Sequence, residues 1–347
     1  MKALVKYGFR DGDVELRDVP APSVGPGTVL VAVSAVGVCG SDIHMWHNTQ
    51  SASSKANLPV VLGHETAGVI AAVGEGVTGW EVGDRVVCET AASICGVCAL
   101  CRTGRYNLCP QRQGYGLRRD GGMAEFLVAE PRVLHRVPEG VTLDQAAMTE
   151  PFAVAYNAVV ERGTVHPGDV VVIQGAGAIG VLAMQMARLN GAGTVVVLGT
   201  SIDGHRLAKA REMGADHTVD VTATDPTEVV AALGDGLGAD VVVDATGVSA
   251  ALQQGMEMVR PQGSIVKVGW GPQPLGFSLD PLVKKAVTLY GSYSHTWNTW
   301  ERVLGLFAQG RLDTANVLGG IYPLADWETA FRTMAEGENI KSVMRAS

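Results

Sequence analysis

The spacing of apolar residues along the chain changes character near residue 150. Before it, apolar residues come in short runs closed by Gly, Pro and Asp: VLVAVSAVGVCG, TAGVIAAVG, DRVVCE and MAEFLVA. Short, partly alternating runs of this kind predict strands, and their succession predicts an all-β, partly open barrel. From about residue 155 the rhythm lengthens. Asp169–Ile173 reads as a short apolar strand, Gly180–Leu189 as an apolar helix and Val195–Leu198 as a second strand. Arg206–Met213 reads as a helix, and Ala239–Asp244 and Ser264–Val268 as further strands. Strands alternating with helices predict βαβ units and a doubly wound parallel sheet covered on both faces. The stretch from about Tyr290 is mixed, with helices expected over Trp300–Gln309 and Trp327–Ala335. The fold class predicted is therefore α/β plus β.

Composition narrows this picture. The 347 residues are enough for two domains of ordinary size. The formal net charge of -8 argues against a nucleic-acid partner held by phosphate neutralisation. No run approaches the roughly 18 apolar residues that a membrane span needs. The opening MKALVKYGFRDGDVEL has no apolar core of a secretory signal. Six cysteines, four of them in a metal-like cluster, and no such signal point to the reducing cytoplasm.

The chemistry-bearing residues are concentrated. Cys95, Cys98, Cys101 and Cys109 follow the spacing Cys-x2-Cys-x2-Cys-x7-Cys. Four thiolates so close suit a tetrahedral structural zinc better than paired disulfides; an iron–sulfur cluster is the weaker competitor. Gly175-Ala176-Gly177-Ala178-Ile179-Gly180 is a G-x-G-x-x-G turn between a predicted strand and a predicted helix. Its backbone N–H groups and helix N-terminus suit a dinucleotide pyrophosphate. Some twenty residues on, the second strand ends in Gly199-Thr200-Ser201 without an acidic residue. Asp203 is placed either to reach the ribose of NAD or to cap a helix. The rival reading has Thr200, Ser201 and Arg206 accommodating the 2′-phosphate of NADP; the reading adopted is NAD. Upstream, Cys39, His64 and Glu65 offer sulfur, nitrogen and oxygen ligands to a catalytic zinc with an open fourth position.

CGSDIH, GHETAG, the cysteine quartet, GGMAEF and GAGAIG occur in the order seen in zinc-dependent medium-chain alcohol and polyol dehydrogenases. The chain resembles that family over essentially its whole length, and most of all its sorbitol (L-iditol) and threonine dehydrogenase branch. The resemblance implies a GroES-like catalytic domain over residues 1–153, with the structural zinc lobe at about 88–112. It implies a Rossmann domain over 154–288 and a return to the catalytic domain over 289–347, with Lys284–Ser294 as the crossing. It also implies two zinc ions per subunit and a cleft active site. There Glu150 stands beside the catalytic zinc, as a transient ligand or a partner of its water; the plainer alternative is a solvated carboxylate at a helix start.

By the same resemblance, Ser41 receives the substrate proton, and the ribose hydroxyls and His44 carry it towards solvent. A turn serine and a surface histidine are the competing readings. Cys88 reads as a core residue, while Trp46, Tyr115, Trp270 and Trp297 are pocket or core aromatics. The implied reaction is hydride transfer between a secondary alcohol, polyol or cyclitol and a nicotinamide. Met45 and Trp46 allow a bulkier cyclic or terpenoid alcohol, and no basic residue is clearly placed for a substrate carboxylate. A non-catalytic NAD(P)-binding structural or sensor protein is the alternative from another class. The family also implies a homodimer or homotetramer, with Ser264–Phe277 as candidate contact.

Overall fold

The computed structural model describes residues 1–49, 55–271 and 273–346. Two sheets carry most of the chain. The first has seven strands, in the order 318–323, 341–345, 29–37, 65–73, 85–88 and 134–136, with 126–129 also paired to 29–37. Its long central strands Val29–Gly37 and Glu65–Val73 pair antiparallel, and two register shifts bend the pair. Residues 2–6, 14–18 and 60–61 form a smaller three-stranded sheet beside it. Val29, Val31 and Val33 point inward with no more than 4 % exposure, while Leu30, Ala32 and Ser34 are partly exposed. The expected alternation along that run is therefore present.

The second sheet has six parallel strands, in the order 217–220, 194–199, 170–174, 239–244, 259–267 and 288–291. Val171–Ile173, Val195–Val197 and Val242–Val243 are fully buried, as strands covered on both faces require. One face packs on the helix Ala178–Leu189 through Val181 and Met184, and the helix Trp297–Ala308 joins the same core by packing on the helix Thr149–Tyr156, Phe307 edge-on against Phe152. The other face packs on the helix Ser249–Met258 through Leu252 and Met256.

The chain does not stay in the second sheet. Val343 and Met344 pair with Gly37 and Val36, so the last strand closes back on the first sheet. The edge strand Thr288–Gly291 still belongs to the parallel sheet, past residue 288 where the return was expected to begin. Pattern reading located four of the six parallel strands and the helix Trp327–Ala335, but not the strands His217–Asp220 and Thr288–Gly291, the helix Gly40–His47 or the strand Lys341–Arg345. The helix Gly40–His47 carries two histidines, Ser41 and a buried Asp42 in eight residues, and the last strand carries Lys and Ser at buried positions. Neither follows simple hydrophobic periodicity.

Candidate active site

Cys39 follows the strand Val29–Gly37 and caps the helix Gly40–His47, its backbone N–H donating to Asp42 Oδ2 at 2.9 Å. Gly37 pairs directly with Glu65, at the start of the neighbouring strand. A Cβ on Gly37 would lie 1.9 Å from Glu65 Oε2, so only glycine leaves room for that carboxylate. This pairing brings Cys39 to His64 and Glu65, whose ligand atoms, with the Cys39 sulfur, lie within 4.8 Å of one another. His64 Nδ1 stands 3.8 Å from Asp42 Oδ1, an ion-pair separation, which leaves Nε2 as the nitrogen available to a metal.

The electrostatics suit a cation. Burial opposes a charge on His64, but Asp42, the Cys39 sulfur and Glu150 outweigh it and raise the ring well above the ordinary histidine value. Burial pushes the Glu65 carboxyl up to about 6 against the pull of Lys341. Lys341 is itself buried, donating to Glu65 Oε1 and, at 2.7 Å, to the Val38 carbonyl. Glu65 Oε2 is buried with no hydrogen-bond partner. An orphaned carboxylate oxygen beside a thiol and an imidazole, in an anionic pocket, fits a divalent zinc-type ion.

Glu150 stands beside this set, near the start of the helix Thr149–Tyr156. Its Oε1 lies 3.0 Å from His295 Nε2. Trp300 Nε1 donates to His295 Nδ1 at 2.6 Å, so Nε2 carries the proton that is donated to Glu150. Asn157, in the wide helical turn that continues the Glu150 helix, donates to the Ser294 carbonyl at 2.8 Å and steadies the same loop. Burial pushes Glu150 up, but the His295 hydrogen bond and the charges of His64 and Lys341 hold it below the usual carboxylate range. Sequence reasoning missed Asp42, His295 and Lys341. Lys341, a lysine amid apolar strand residues, was the one visible signal.

Ser41 and His44 lie three residues apart on the helix Gly40–His47 and therefore share a face. Ser41 is partly exposed. His44 Nδ1 sits 2.8 Å from Thr49 Oγ1, and burial, with His47 nearby, lowers its pKa.

The cysteine quartet is assembled and unpaired. Cys95 Sγ lies 3.9 Å from Cys101 Sγ and 3.6 Å from Cys109 Sγ, and none of the four is in a disulfide. Zinc–sulfur bonds at tetrahedral angles would put sulfurs about 3.8 Å apart, so the spacing fits. The backbone N–H groups of Val97 and Cys98 lower the Cys95 thiol to about 6, which favours the thiolate a metal needs. The lobe is tied to the rest by Asn107, which donates to the Tyr293 carbonyl at 2.9 Å. Tyr106 also donates to the buried Glu89.

The glycine loop has the expected form. Gly175 has φ +101°, and a Cβ on Gly180 would meet the Gly175 carbonyl at 1.8 Å. Gly177 caps the helix Ala178–Leu189 and faces open space. Ala176 is buried, and Ala178 and Ile179 open the helix. At the ribose end the side chains are already engaged. Asp203 Oδ2 accepts from the Thr200 N–H and hydroxyl, both at 3.0 Å, and Oδ1 pairs with Arg206 at 3.1 Å. Arg206 also donates to the carbonyls of Met334 and Asn339. Thr200 is thus the capping residue and Asp203 its partner three positions on, with no side-chain bond from Asp203 into the helix Gly204–Glu212, and Arg206 is committed to the returning segment.

The remaining aromatics divide. Trp46 packs edge-on against Trp327 and Phe331, and Tyr115 is buried with its hydroxyl on the Val128 carbonyl at 3.1 Å. Both are core. Cys88 is core as well, its thiol pushed up to about 12 by burial. Trp297 lies exposed over His135. Trp270, 63 % exposed, sits 5.8 Å from the Tyr293 ring.

Comparison with known proteins agrees with this geometry. Residues 25–139 match the alcohol dehydrogenase GroES-like domain, and residues 178–309 match the zinc-binding dehydrogenase family. The chain belongs to the zinc-binding, medium-chain alcohol and polyol dehydrogenases, with the GroES-like and Rossmann architecture of that family. It is an NAD(P)-dependent dehydrogenase acting on CH–OH groups. Among its relatives, a sorbitol dehydrogenase of Halalkalibacterium halodurans is 39 % identical over 99 % of both chains. A D-arabitol-phosphate dehydrogenase of Enterococcus avium is 34 % identical over 100 % of this chain and 98 % of its own. The solved structure of an NAD-dependent alcohol dehydrogenase superposes with TM-score 0.91 at 31 % identity, covering 100 % of both chains.

Proposed function

We propose that this dehydrogenase oxidises a secondary alcohol or polyol with NAD, at a zinc held by Cys39, His64 and Glu65. The observation that carries the reading is the convergence of those three donors on a buried, partnerless Glu65 oxygen. A zinc ion there supplies Lewis-acid polarisation of the substrate oxygen and makes its hydroxyl more acidic. Glu150 stands at the border of the site, its carboxylate held by His295, and orients the groups that exchange at the open position. Ser41 accepts the hydroxyl proton and His44 passes it outward. A hydroxyl can both accept and donate, and a histidine with lowered pKa is neutral, and so basic, at pH 7.

The loop Gly175–Gly180 holds the dinucleotide pyrophosphate. NAD is favoured over NADP because the Arg206 cation is already spent on Asp203 and on two carbonyls of the returning segment. A second zinc in the cysteine quartet braces the lobe at about 88–112 and requires a compartment that keeps thiols reduced. The working form is a homodimer or homotetramer. The parallel sheet ends in the edge strand Thr288–Gly291, with Leu289 and Val283 exposed beside it. The candidate contact Ser264–Phe277, of which residue 272 lies outside the described residues, exposes Trp270 and Leu275.

The test is a screen of alcohols, alditols and cyclitols with NAD and NADP in parallel, on protein whose zinc content has been measured. Two zinc ions per chain and alcohol-dependent NADH formation are expected. Zinc-independent turnover, or none with any alcohol, would overturn the reading.

A further inference from the structure

Arg112 is the one guanidinium that the geometry brings to the edge of the reacting site without an acidic partner among the described residues. It follows the quartet by three residues, on a chain segment that the lobe fastens in place. Nη2 donates to Thr90 Oγ1 at 2.9 Å and to Ser294 Oγ at 3.3 Å, and Nη1 donates to the Tyr293 hydroxyl at 3.1 Å. All three acceptors are neutral. Thr90 Oγ1 in turn stands 3.3 Å from His295 Nε2, which holds Glu150. The guanidinium is therefore two hydrogen bonds from the residue that donates to Glu150.

Two physical features set this arginine apart. It is half-buried, and its Nε is buried with no hydrogen-bond partner. Removing a cation from water is costly unless an anion compensates it. Arg132, close by in the barrel, shows the ordinary solution: it pairs with Glu130 at 2.8 Å. Arg112 has no such pair, and its face is continued by Tyr293, whose ring it overlies at 5.5 Å, and by Trp270. The guanidinium, backed by Thr90 and Ser294 and flanked by the exposed Tyr293 ring, makes an oxygen-binding wall beside the His295–Glu150 pair.

We propose that Arg112 determines specificity by binding a terminal oxyanion, phosphate or carboxylate, on the alcohol substrate. The inference rests on the dehydrogenase reading above and adds the charge of the substrate to it. Of the five guanidinium N–H groups, the three neutral acceptors and the burial of Nε leave one on Nη1 for a substrate oxyanion, and a hydrogen bond between two charged groups is a strong one. Thr90 and Ser294 hold the fork in place, and the reacting CH–OH lies at the other end of the substrate, beside Cys39, His64 and Glu65.

The test compares kcat/KM of the zinc- and NAD-loaded protein for one alditol, its terminal phosphate monoester and the corresponding terminal carboxylate. A charged form should be preferred over the neutral alditol by roughly 10- to 100-fold, and the phosphate and carboxylate arms distinguish the two oxyanions. In Arg112→Met that ratio should fall to near one, and in Arg112→Lys it should be partly kept. Equal use of neutral and charged forms by the wild type, or an unchanged ratio in Arg112→Met, overturns the proposal while leaving the dehydrogenase reading intact. No turnover of any form defeats that reading instead. Calorimetric titration of NAD-saturated wild type and Arg112→Met with inorganic phosphate then decides for Arg112 alone. Heat present in the wild type and absent in the variant supports the subsite; equal heats overturn it.

Discussion

Cys95, Cys98, Cys101 and Cys109 come from one stretch of fifteen residues, whereas Cys39, His64 and Glu65 come from two segments brought together by strand pairing. The quartet offers four like donors, with sulfurs at 3.6 and 3.9 Å, held by backbone N–H groups of its own loop. The triad offers three unlike donors, and its surroundings come from much of the protein: Asp42 from its own helix, Lys341 from the last strand, Glu150 and His295 from either end of the parallel-sheet unit. A closed set of like ligands can be folded locally and does not need the rest of the molecule. An open set must be shaped from outside, because its fourth position belongs to the substrate. On the proposed reading, local spacing marks a brace, and long-range convergence marks the place of reaction.

The largest expected effect separates the two sites. Cys95→Ala removes one donor of the closed set, and a structural zinc is worth on the order of 10 kcal/mol of local folding. The lobe should lose order, with a lower thermal midpoint and faster proteolysis between residues 95 and 109. Turnover should fall with the folded fraction, and a full loss of turnover in protein that remains folded would contradict the comparison.

The next effect tests how the open site is shaped. Lys341→Met leaves the Glu65 carboxylate buried without its cation, which costs roughly 3–5 kcal/mol. Denaturant unfolding of metal-free protein should show this loss, and adding Glu65→Gln to Lys341→Met should recover much of it. A loss that the double variant does not recover would mean that Lys341 acts through packing rather than through Glu65.

The smallest effect concerns proton transfer. Burial lowers the His44 pKa, so the ring is neutral above its ordinary value and gains a proton only as pH falls through the lowered one. Alcohol oxidation should drop along that acid limb. His44→Ala should reduce turnover at neutral pH by roughly 10- to 100-fold, the range for one acid–base group, and flatten the limb. An unchanged pH–rate profile would remove His44 from the relay. The same sign applies to folding: the neutral ring's contribution is complete above the unfolded value and is lost as pH falls through the folded one.

Much of this was legible in the chain. Val170–Gln174 and Ala239–Asp244 could be read because strands buried on both faces are mostly apolar, with their polar residues at or near the ends. The quartet and the loop Gly175–Gly180 could be read because their function lies in local spacing. Residues whose role depends on a distant partner could not. His295 stands 145 positions from Glu150, and Lys341 stands 276 from Glu65. Arg112 looks like an ordinary surface arginine until Thr90 and Ser294 are seen around it. Asp203 was readable in two ways, and the Thr200 hydroxyl and Arg206 draw its carboxylate into the cap.

The most direct test of the division between brace and reacting site is zinc quantification of folded His64→Ala beside the wild type, with NAD-linked turnover measured on the same samples. The wild type should hold two zinc ions per chain. The variant should keep one, in the quartet, with its thermal midpoint little changed and turnover reduced at least roughly 1000-fold, because Lewis-acid activation supplies several kcal/mol. A variant that keeps both zinc ions, or that still turns over alcohol with one, would contradict the account.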